Sequence, residues 1–542
     1  MTAPDPLTAE RAPASVPPAM TADGFESILF PNGESPAEID SLREPECFSD
    51  LHLDQVVETA TAGRDEYTLQ PFFFAPTRDV STIHYRHDVF RDLENSAAAD
   101  CVRVFAAAMQ QLRGQLAQAQ KHFYVLQKRR CFLDAVEGYC RALRRLAEGL
   151  EAAEFRSEGL KRFRQYLEDA TAARNFRDME SEAGTLIDAL GQVRYALLID
   201  GKRITVRRYQ PEPDYGADVL QTFEKFRQGS SKDYRFNFRF AAEMNHVEAA
   251  ILDRVALLYP EIFSLLEAFC AQHKGFLDPV LARFDREVQF YLAWSEYAQR
   301  FKDEGLSCCY PAVSNHPKQV SARDAFDLAL AEKLRTARDG NAIVTNDFSV
   351  TGVERIIVVT GPNQGGKTTF ARMFGQLLYL ARLGCPVPAK EASLFLCDRL
   401  FTHFEKEEDV ENLTGKLEDE LLRIHRILER ATPDSILIMN ESFLSTTLND
   451  ALFLSRQVME RIVELDVLCV SVTFLDELAS LSSSTVSMVA TVDPIDPARR
   501  TFKIIRKPAD GLAYAVAIAE KYRLTHHDVK ARITRNAGEG RA

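Results

Sequence analysis

A glycine-rich turn between an apolar segment and an amphipathic segment constrains the fold of this chain most. Residues 356–370 read IIVVTGPNQGGKTTF and contain the pattern Gly-x-x-x-x-Gly-Lys-Thr. Glycines at these positions let backbone N–H groups turn around phosphate oxygens, and the N-terminus of the following helix adds partial positive charge. The pattern therefore predicts a phosphate-binding loop at a strand–helix junction of an α/β domain.

This loop has the residues needed to bind a nucleoside triphosphate with Mg²⁺. Lys367 is expected to reach the β- and γ-phosphates, and the Thr368 hydroxyl is expected to bind Mg²⁺. The predicted nucleotide-binding residues are Gly361, Pro362, Asn363, Gln364, Gly365, Gly366, Lys367, Thr368 and Thr369. ATP and Mg²⁺ are therefore the expected cofactors.

The hydrophobic period changes along the chain. From 98 to 195 apolar residues recur every three or four positions, which is typical of long amphipathic helices. YALLIDGKRITVRRY, residues 195–209, has Asp200-Gly201 between two alternating runs and predicts a β-hairpin. Helices are expected again over 241–305. From 354 to 518 apolar strands such as SILIM, VLCVSV and the strand-like SLFLCDRLF alternate with helices, which predicts a helix-covered sheet.

A second apolar strand ends in polar residues with possible catalytic roles. Residues 435–447 read SILIMNESFLSTT, so Asn440-Glu441 stands where nucleotide hydrolases carry Asp-Glu. Glu441 is predicted to activate water, and the alternative is a solvated carboxylate at a strand end. Asn440 keeps an oxygen but lacks the charge beside Mg²⁺, a loss of a few kcal/mol at about 4 Å and a dielectric constant near 20. Weak Mg²⁺ binding by Asn440, through a water molecule, is expected.

The overall charge gives no sign of a nucleic-acid partner, but one segment does. The chain has 66 Lys and Arg against 79 Asp and Glu, a net charge of -13. Between 202 and 239, nine basic residues stand against five acidic ones, a local charge of +4, with aromatic residues between them. Basic side chains neutralise phosphates. The DNA-binding candidates are Lys202, Arg203, Arg207, Arg208, Arg235 and Arg239. The alternative is a β-rich subdomain whose aromatic residues form its own core.

Several longer stretches resemble one known family. TGPNQGGKTTF, GCPVPAKEASLFLCDRLFTHF and ILERATPDSILIMNES resemble the C-terminal ATPase domain of the MutS family of DNA mismatch-repair proteins. Upstream, LQPFFFAPTRDVSTIHYRHDVFRDL resembles the start of that family's helical core and lever. The resemblance spans about 45–535. No segment resembles the family's N-terminal mismatch-recognition domain, so mismatch sensing of that kind is not expected.

The resemblance implies a fold class and domain boundaries. The expected fold is multidomain: an all-α core and lever with a small β-rich clamp insertion, followed by an α/β P-loop ATPase domain of the ABC type. The expected order is a poorly ordered tail at 1–44, the helical core and lever at 45–310 with the clamp at about 195–240, a connector at 311–350, the ATPase domain at 351–520, and a helical dimerisation tail at 521–542.

The resemblance also implies site roles and shows departures from the family pattern. Asn363 falls where the loop approaches the γ-phosphate, and Glu441 falls on the general base. Ser445, Thr446 and Thr447 fall in a segment that contacts the partner subunit's γ-phosphate, although a helix N-cap would equally explain these hydroxyls. The glycines of that segment are missing here, and Phe474 replaces a sensor histidine. Slow or conditional hydrolysis is therefore expected.

The expected function is ATP-dependent binding of double-stranded DNA by a homodimer joined through its ATPase domains, in repair or recombination. The alternative is a nucleotide-binding scaffold that holds a protein partner without DNA. An unrelated ABC-type ATPase of chromosome maintenance is a third possibility, but long heptad arms are missing from the sequence. A cytoplasmic protein without membrane association is expected, because the N-terminal stretch lacks an apolar h-region and no 18-residue apolar run occurs.

Overall fold

The structure is a computed structural model that describes residues 25–33, 36–210, 222, 244–316, 318–337, 343–405, 415–496, 499–509, 526–527 and 529–530. The chain divides into two compact units. Unit 1 consists of Met1–Phe25, Glu94–Arg156 and Leu160–Asp285, and unit 2 of Glu26–Leu93, Ser157–Gly159 and Arg286–Ala542. No helix in the described ranges is long and apolar enough to cross a membrane.

Unit 1 is built from long helices. Two of them, α6 and α7, pack along each other through apolar residues at three- and four-residue spacing, such as Val102, Phe105 and Met109 of α6. The Asn95 side chain caps α6 by accepting a hydrogen bond from the backbone N–H of Ala97. The helices are α6 Ser96–Lys121, α7 Val125–Glu151, α8 Glu158–Ala172, α9 Arg174–Gly191, α10 His246–Leu258 and α11 Pro260–Gln272. The helical region predicted from the period is confirmed.

The predicted hairpin is also present in unit 1. Strands β1 (Tyr195–Asp200) and β2 (Arg203–Arg208) pair antiparallel, with Asp200 opposite Arg203 and Gly201 in the turn at φ 56°. The two-residue turn needs positive φ, which glycine adopts without strain. Most of the remaining predicted clamp, including Arg235 and Arg239, lies outside the described residues.

Unit 2 contains a six-stranded sheet in the order β12-β11-β6-β10-β9-β8. All neighbours are parallel except β12, which pairs antiparallel with β11. The strands are β6 Ile356–Thr360, β8 Leu400–Phe404, β9 Ile436–Asn440, β10 Leu468–Val472, β11 Thr485–Val492 and β12 Arg500–Arg506. Every residue of β6, β9 and β10 is buried, as expected for central parallel strands. The predicted α/β sheet is confirmed.

Helices before and between these strands complete unit 2. Helix α14 follows β6 and buries most of its length, while α15 and α16 flank β9. The helices are α1 Pro36–Asp40, α2 Cys47–Leu51, α3 Leu53–Thr61, α4 Gln70–Phe73, α5 Val80–Leu93, α12 Pro279–Lys302, α13 Leu328–Ala337, α14 Lys367–Leu383, α15 Lys416–Arg430 and α16 Leu448–Glu464. Helix α12 begins in unit 1 and continues into unit 2.

The structure differs from the sequence-based expectation at the connector. The sequence predicts a connector over 311–350, but three strands lie there, and together with a strand from 391–395 they form a four-stranded sheet of order β3-β7-β4-β5. Its strands are β3 Ala312–Ser314, β4 Val320–Ala325, β5 Asn346–Val350 and β7 Glu391–Phe395. SLFLCDRLF, read as one strand, is split between β7 and β8, because Asp398 turns the chain and accepts hydrogen bonds from the Thr432 and Ser435 hydroxyls.

Within the predicted poorly ordered tail at 1–44, the structure describes residues 25–33 and 36–44, and these differ from the prediction. From Phe25 on, this stretch contributes buried side chains, and within unit 2 both Ser27 Oγ and the Ile28 N–H donate to the buried Glu287 carboxylate. Helix α2 packs on α14 so closely that a Cβ at Gly375 would lie 2.5 Å from Leu51 Cδ2. Residues 26–93 are therefore part of the core of unit 2.

Candidate nucleotide-binding site

The loop between β6 and α14 has a backbone that only glycine accommodates at several positions. Gly361 has φ 116° and Gly366 has φ 90°. A Cβ at Gly361 would lie 2.8 Å from the Ala490 carbonyl oxygen, and a Cβ at Gly365 would lie 2.9 Å from that of Pro362. A loop with glycines at its tightest turns, at the N-terminus of a 17-residue helix, is the geometry that phosphate groups require. The predicted loop residues therefore fit a triphosphate.

Lys367 lies inside this loop and is only 4% exposed. Its Nζ donates to the carbonyl oxygens of Gly361 and Pro362, both at 3.2 Å, and to Asn363 Oδ1 at 3.4 Å. Burial lowers the pKa of Lys367, and the Glu441 carboxylate, 3.9 Å from Nζ, opposes that shift. An ammonium group held by neutral carbonyls in a buried loop gains strongly from an anionic ligand.

The two predicted Mg²⁺ ligands are in contact. Thr368 Oγ1 donates to Asn440 Oδ1 at 2.9 Å, at the carboxyl end of β9. No group of three or more His, Cys, Asp or Glu able to hold a metal occurs among the described residues. Mg²⁺ in nucleotide sites takes few protein ligands and completes its octahedron with phosphates and water. The hydroxyl and amide oxygens here fit such an ion, but neither carries a charge.

The loop after β9 has an unusual backbone. Glu441 has φ 55° and Phe443 has φ 64°, although neither is glycine. The Glu441 N–H donates to the Val472 carbonyl oxygen at 2.9 Å, and the Phe443 N–H donates to Glu420 Oε2 at 3.1 Å. With the backbone held by these bonds, Glu441 Oε1 lies 3.9 Å from Lys367 Nζ in the phosphate-binding loop. The predicted general base and Lys367 are therefore neighbours.

The predicted hydroxyl residues Ser445, Thr446 and Thr447 include one with a structural role. Thr447 is the N-cap of α16: its Oγ1 accepts from the Asp450 N–H at 3.3 Å and donates to Asp450 Oδ2 at 2.8 Å. The N-cap interpretation is thus confirmed for Thr447. Ser445 is exposed on the turn before the helix. Phe474, two residues beyond β10, is 44% exposed.

Two residues at the site were not found from the sequence. Glu420 lies on the apolar stripe of α15, which also carries Leu417 and Ile424, and a carboxylate on such a stripe is the signal that could have found it. Arg500 of β12 donates from Nε to the Asn363 carbonyl oxygen at 3.2 Å and helps to lower the pKa of Lys367. No local signal marks Arg500, because β12 reaches the loop only through sheet pairing.

The described DNA-binding candidates lie on the hairpin of unit 1. Lys202, Arg203, Arg207 and Arg208 are all exposed. Arg203 and Arg207 share one face of β2, because side chains alternate along a strand. Arg208 lies on the other face, where its guanidinium donates to the Leu258 carbonyl oxygen and stacks over the Tyr259 ring at 4.8 Å. Arg208 thus has a structural role.

Comparisons with known proteins agree with the geometry of unit 2. Residues 357–531 match the family model MutS domain V. The chain is 30% identical over 136 residues to DNA mismatch repair protein MSH3 of Kluyveromyces lactis, covering 25% of this chain and 13% of that protein. It is 26% identical over 317 residues to DNA mismatch repair protein MutS of Chlorobium phaeobacteroides, covering 57% of this chain and 34% of that protein.

A third relative gives the same result over a shorter range. DNA mismatch repair protein MutS of Shouchella clausii is 34% identical over 121 residues, which cover 22% of this chain and 14% of that protein. The chain therefore spans between 13% and 34% of the length of these three relatives. The matched family model begins in β6 and includes the phosphate-binding loop, Asn440 and Glu441. Residues 357–531 of this chain are therefore similar to domain V of the MutS family.

Proposed function

We propose that this chain binds ATP with Mg²⁺ in unit 2 and uses ATP binding to close a homodimer on double-stranded DNA during repair or recombination. The observation that carries the ATP part is the buried Lys367 ammonium inside a glycine loop, with Glu441 Oε1 3.9 Å away. The three relatives described above are all named as DNA mismatch repair proteins, which supports the DNA part.

We further propose that hydrolysis is slow or conditional. Asn440 offers Mg²⁺ an oxygen without charge, Phe474 offers a ring in place of an imidazole, and the Thr447 hydroxyl is engaged as a helix cap. Lys367 would hold the phosphates, Thr368 and Asn440 would hold Mg²⁺, and Glu441 would orient the attacking water. Bound Mg²⁺ would offset charge that develops on the phosphates. In this reading ATP binding, rather than rapid turnover, drives dimer closure.

Replacing Asn440 with aspartate is expected to strengthen Mg²⁺ binding and to raise the ATPase rate. The carboxylate would occupy the position of Asn440 Oδ1, 2.9 Å from Thr368 Oγ1, and supply the missing charge. A gain of at least 1.4 kcal/mol, or tenfold in Mg²⁺ affinity, is expected from a unit charge at about 4 Å in a partly buried site. Mg²⁺ titration of the ATPase rate would measure it. An unchanged Mg²⁺ midpoint would contradict this view of Asn440.

The DNA part is tested by binding to mismatched, branched and perfect duplexes, with and without ATP, at two salt concentrations. Mass photometry of the same samples would measure ATP-dependent dimerisation. Salt-dependent DNA binding that changes with ATP supports the proposal.

A specific observation favours the scaffold as the alternative: the hairpin also exposes apolar side chains, among them Tyr195, Leu197 and Ile199. Absence of binding to all three DNAs would favour that alternative.

A double substitution, Arg203→Gln with Arg207→Gln, is expected to weaken binding to every duplex by a similar factor. These two arginines share one face of β2, and each phosphate contact contributes about 0.9 to the slope of log K against log salt on duplex DNA. The slope should therefore fall by about 1.8. Fluorescence anisotropy across a salt series would measure it.

The matched control is Arg174→Gln with Arg177→Gln, which removes the same charge from exposed positions of α9 in the same unit. An equal loss in this control would mean that overall charge, rather than the hairpin, attracts DNA. Arg208 is left unchanged in both variants because it supports Leu258 and Tyr259.

A further inference from the structure

A buried carboxylate on α15 contacts the loop that carries Glu441. Glu420 is 7% exposed, and its Oε2 accepts a hydrogen bond from the Phe443 backbone N–H at 3.1 Å. Phe443 is two residues after Glu441, and its ring is buried in the core formed by β9, α15 and α16. This hydrogen bond therefore joins α15 to the end of the loop from Glu441 to Phe443.

The loop needs such a support because its backbone is strained. Both Glu441 and Phe443 have left-handed φ values, which are unfavourable for a residue with a Cβ and most unfavourable for a bulky one. Strained positions persist only when surrounding contacts hold them, and they concentrate at functional sites. Two backbone bonds hold this loop, one from Glu441 N–H to Val472 and one from Phe443 N–H to Glu420.

Helix α15 is itself fixed to the sheet edge beside β9. Arg423 Nη1 donates to the Phe404 carbonyl oxygen at 3.3 Å, at the end of β8. Lys416 Nζ forms an ion pair with Glu405 Oε1 at 2.6 Å. Strands β8 and β9 are parallel neighbours whose last residues, Phe404 and Asn440, are paired. Glu420 thus links the loop from Glu441 to Phe443 to α15, a helix that is fixed at the end of the sheet where β8 and β9 terminate.

We propose that Glu420 is a positioning residue: it holds the loop from Glu441 to Phe443 so that the Glu441 carboxylate faces Lys367 and the γ-phosphate. This inference rests on the proposed role of Glu441 in activating water. Glu420 does not touch the nucleotide in this scheme. It acts only through the Phe443 N–H.

The chemistry of the contact identifies the substitutions that test it. The N–H needs only an oxygen acceptor, so Glu420→Gln retains the bond through its amide oxygen. Burial raises the pKa of Glu420, and the acceptor role does not require its negative charge. Glu420→Met has a similar length and no acceptor, so it fills the space but leaves a buried N–H without a partner.

The experiment measures ATP binding, steady-state hydrolysis and amide hydrogen exchange of the 441–444 segment in the full chain. Glu420→Met is expected to lower kcat at least tenfold, with ATP affinity and KM within twofold of the wild type and faster exchange of the segment. Glu420→Gln is expected to stay within threefold of the wild type in all measurements. Glu418→Met, at an exposed position of the same helix, is the matched control.

Equal kcat in Glu420→Met and the wild type would overturn the inference, as would a parallel loss of ATP binding. Failure of the proposed function looks different: the wild type itself would neither bind nor hydrolyse ATP. In that case amide hydrogen exchange of the 441–444 segment tests the positioning role, because this measurement needs no nucleotide. Faster exchange confined to Glu420→Met supports the positioning role, and equal exchange in all variants overturns it.

Discussion

Replacing Lys367 with methionine is expected to weaken ATP binding about a hundredfold, or ~2.7 kcal/mol, while the protein stays folded. The Lys367 ammonium is the cation at the centre of the loop and is 4% exposed. Charge-assisted hydrogen bonds of this kind contribute about 1.5–3 kcal/mol. Methionine fills a similar volume without a charge, and it leaves the carbonyl oxygens of Gly361 and Pro362 without the ammonium donor, a cost that thermal unfolding without ATP measures separately. The loss that appears only with ATP should fall on nucleotide binding.

Titration calorimetry would measure the affinity, and thermal unfolding would measure folding with and without ATP. ATP at about 100 times its Kd stabilises a protein by about 2.7 kcal/mol, so the wild type should show a clear upward shift in Tm that the variant lacks. Lys390→Met removes the same charge from an exposed position and is the control. ATP affinity within threefold of the wild type in Lys367→Met would refute the proposed site.

Replacing Glu441 with glutamine is expected to lower the hydrolysis rate by about 10²–10⁴-fold and to leave ATP binding nearly unchanged. General-base catalysis contributes on this scale, and an amide cannot take a proton from water. Glutamine has the same shape, so the Glu441 N–H bond to Val472 and the loop backbone should persist. The Lys367 ammonium loses a neighbour at 3.9 Å, which removes the interaction that raises its pKa.

Single-turnover hydrolysis with a large excess of protein would measure this rate, because slow turnover is expected even in the wild type. Mass photometry would show whether the variant stays dimeric with ATP for longer than the wild type. Glu464→Gln, at an exposed position near the end of α16, controls for the lost charge. An unchanged rate in Glu441→Gln would remove this residue from the proposed chemistry.

The sequence predicted those parts of the site whose residues are adjacent in the sequence or directly follow a recognisable strand. The positions from Gly361 to Thr368 are contiguous, and their pattern alone defines a loop between a strand and a helix. Asn440 and Glu441 were found because an apolar strand ended at them. Parallel strands end at one sheet edge, so contact between Thr368 and Asn440 followed from the fold class.

The sequence did not predict contacts that depend on distant pairing. Glu420 reaches the loop only because α15 packs beside β9, and Arg500 only because β12 pairs at the edge of the sheet beyond β11. The buried position of Ser27 and Ile28 depends on Glu287, which is 260 residues away from Ser27 in the sequence. SLFLCDRLF was read as one strand because its apolar run hides the turn at Asp398. Periodicity carries no information about such partners.

Unit 2 is assembled from segments that lie far apart in the sequence, and this has a consequence for folding during synthesis. Asp50 accepts a hydrogen bond from Thr402, which is 352 residues later in the chain, and Arg78 pairs with Asp434, 356 residues later. At about 5–20 residues per second, a ribosome delivers Thr402 roughly 20–70 s after Asp50. Phe48 and Leu51, both buried in the finished protein, have no partner strand during that interval. Unit 1 is complete first, so the earliest apolar helices of unit 2 lack their contacts with β8 while unit 1 is being made.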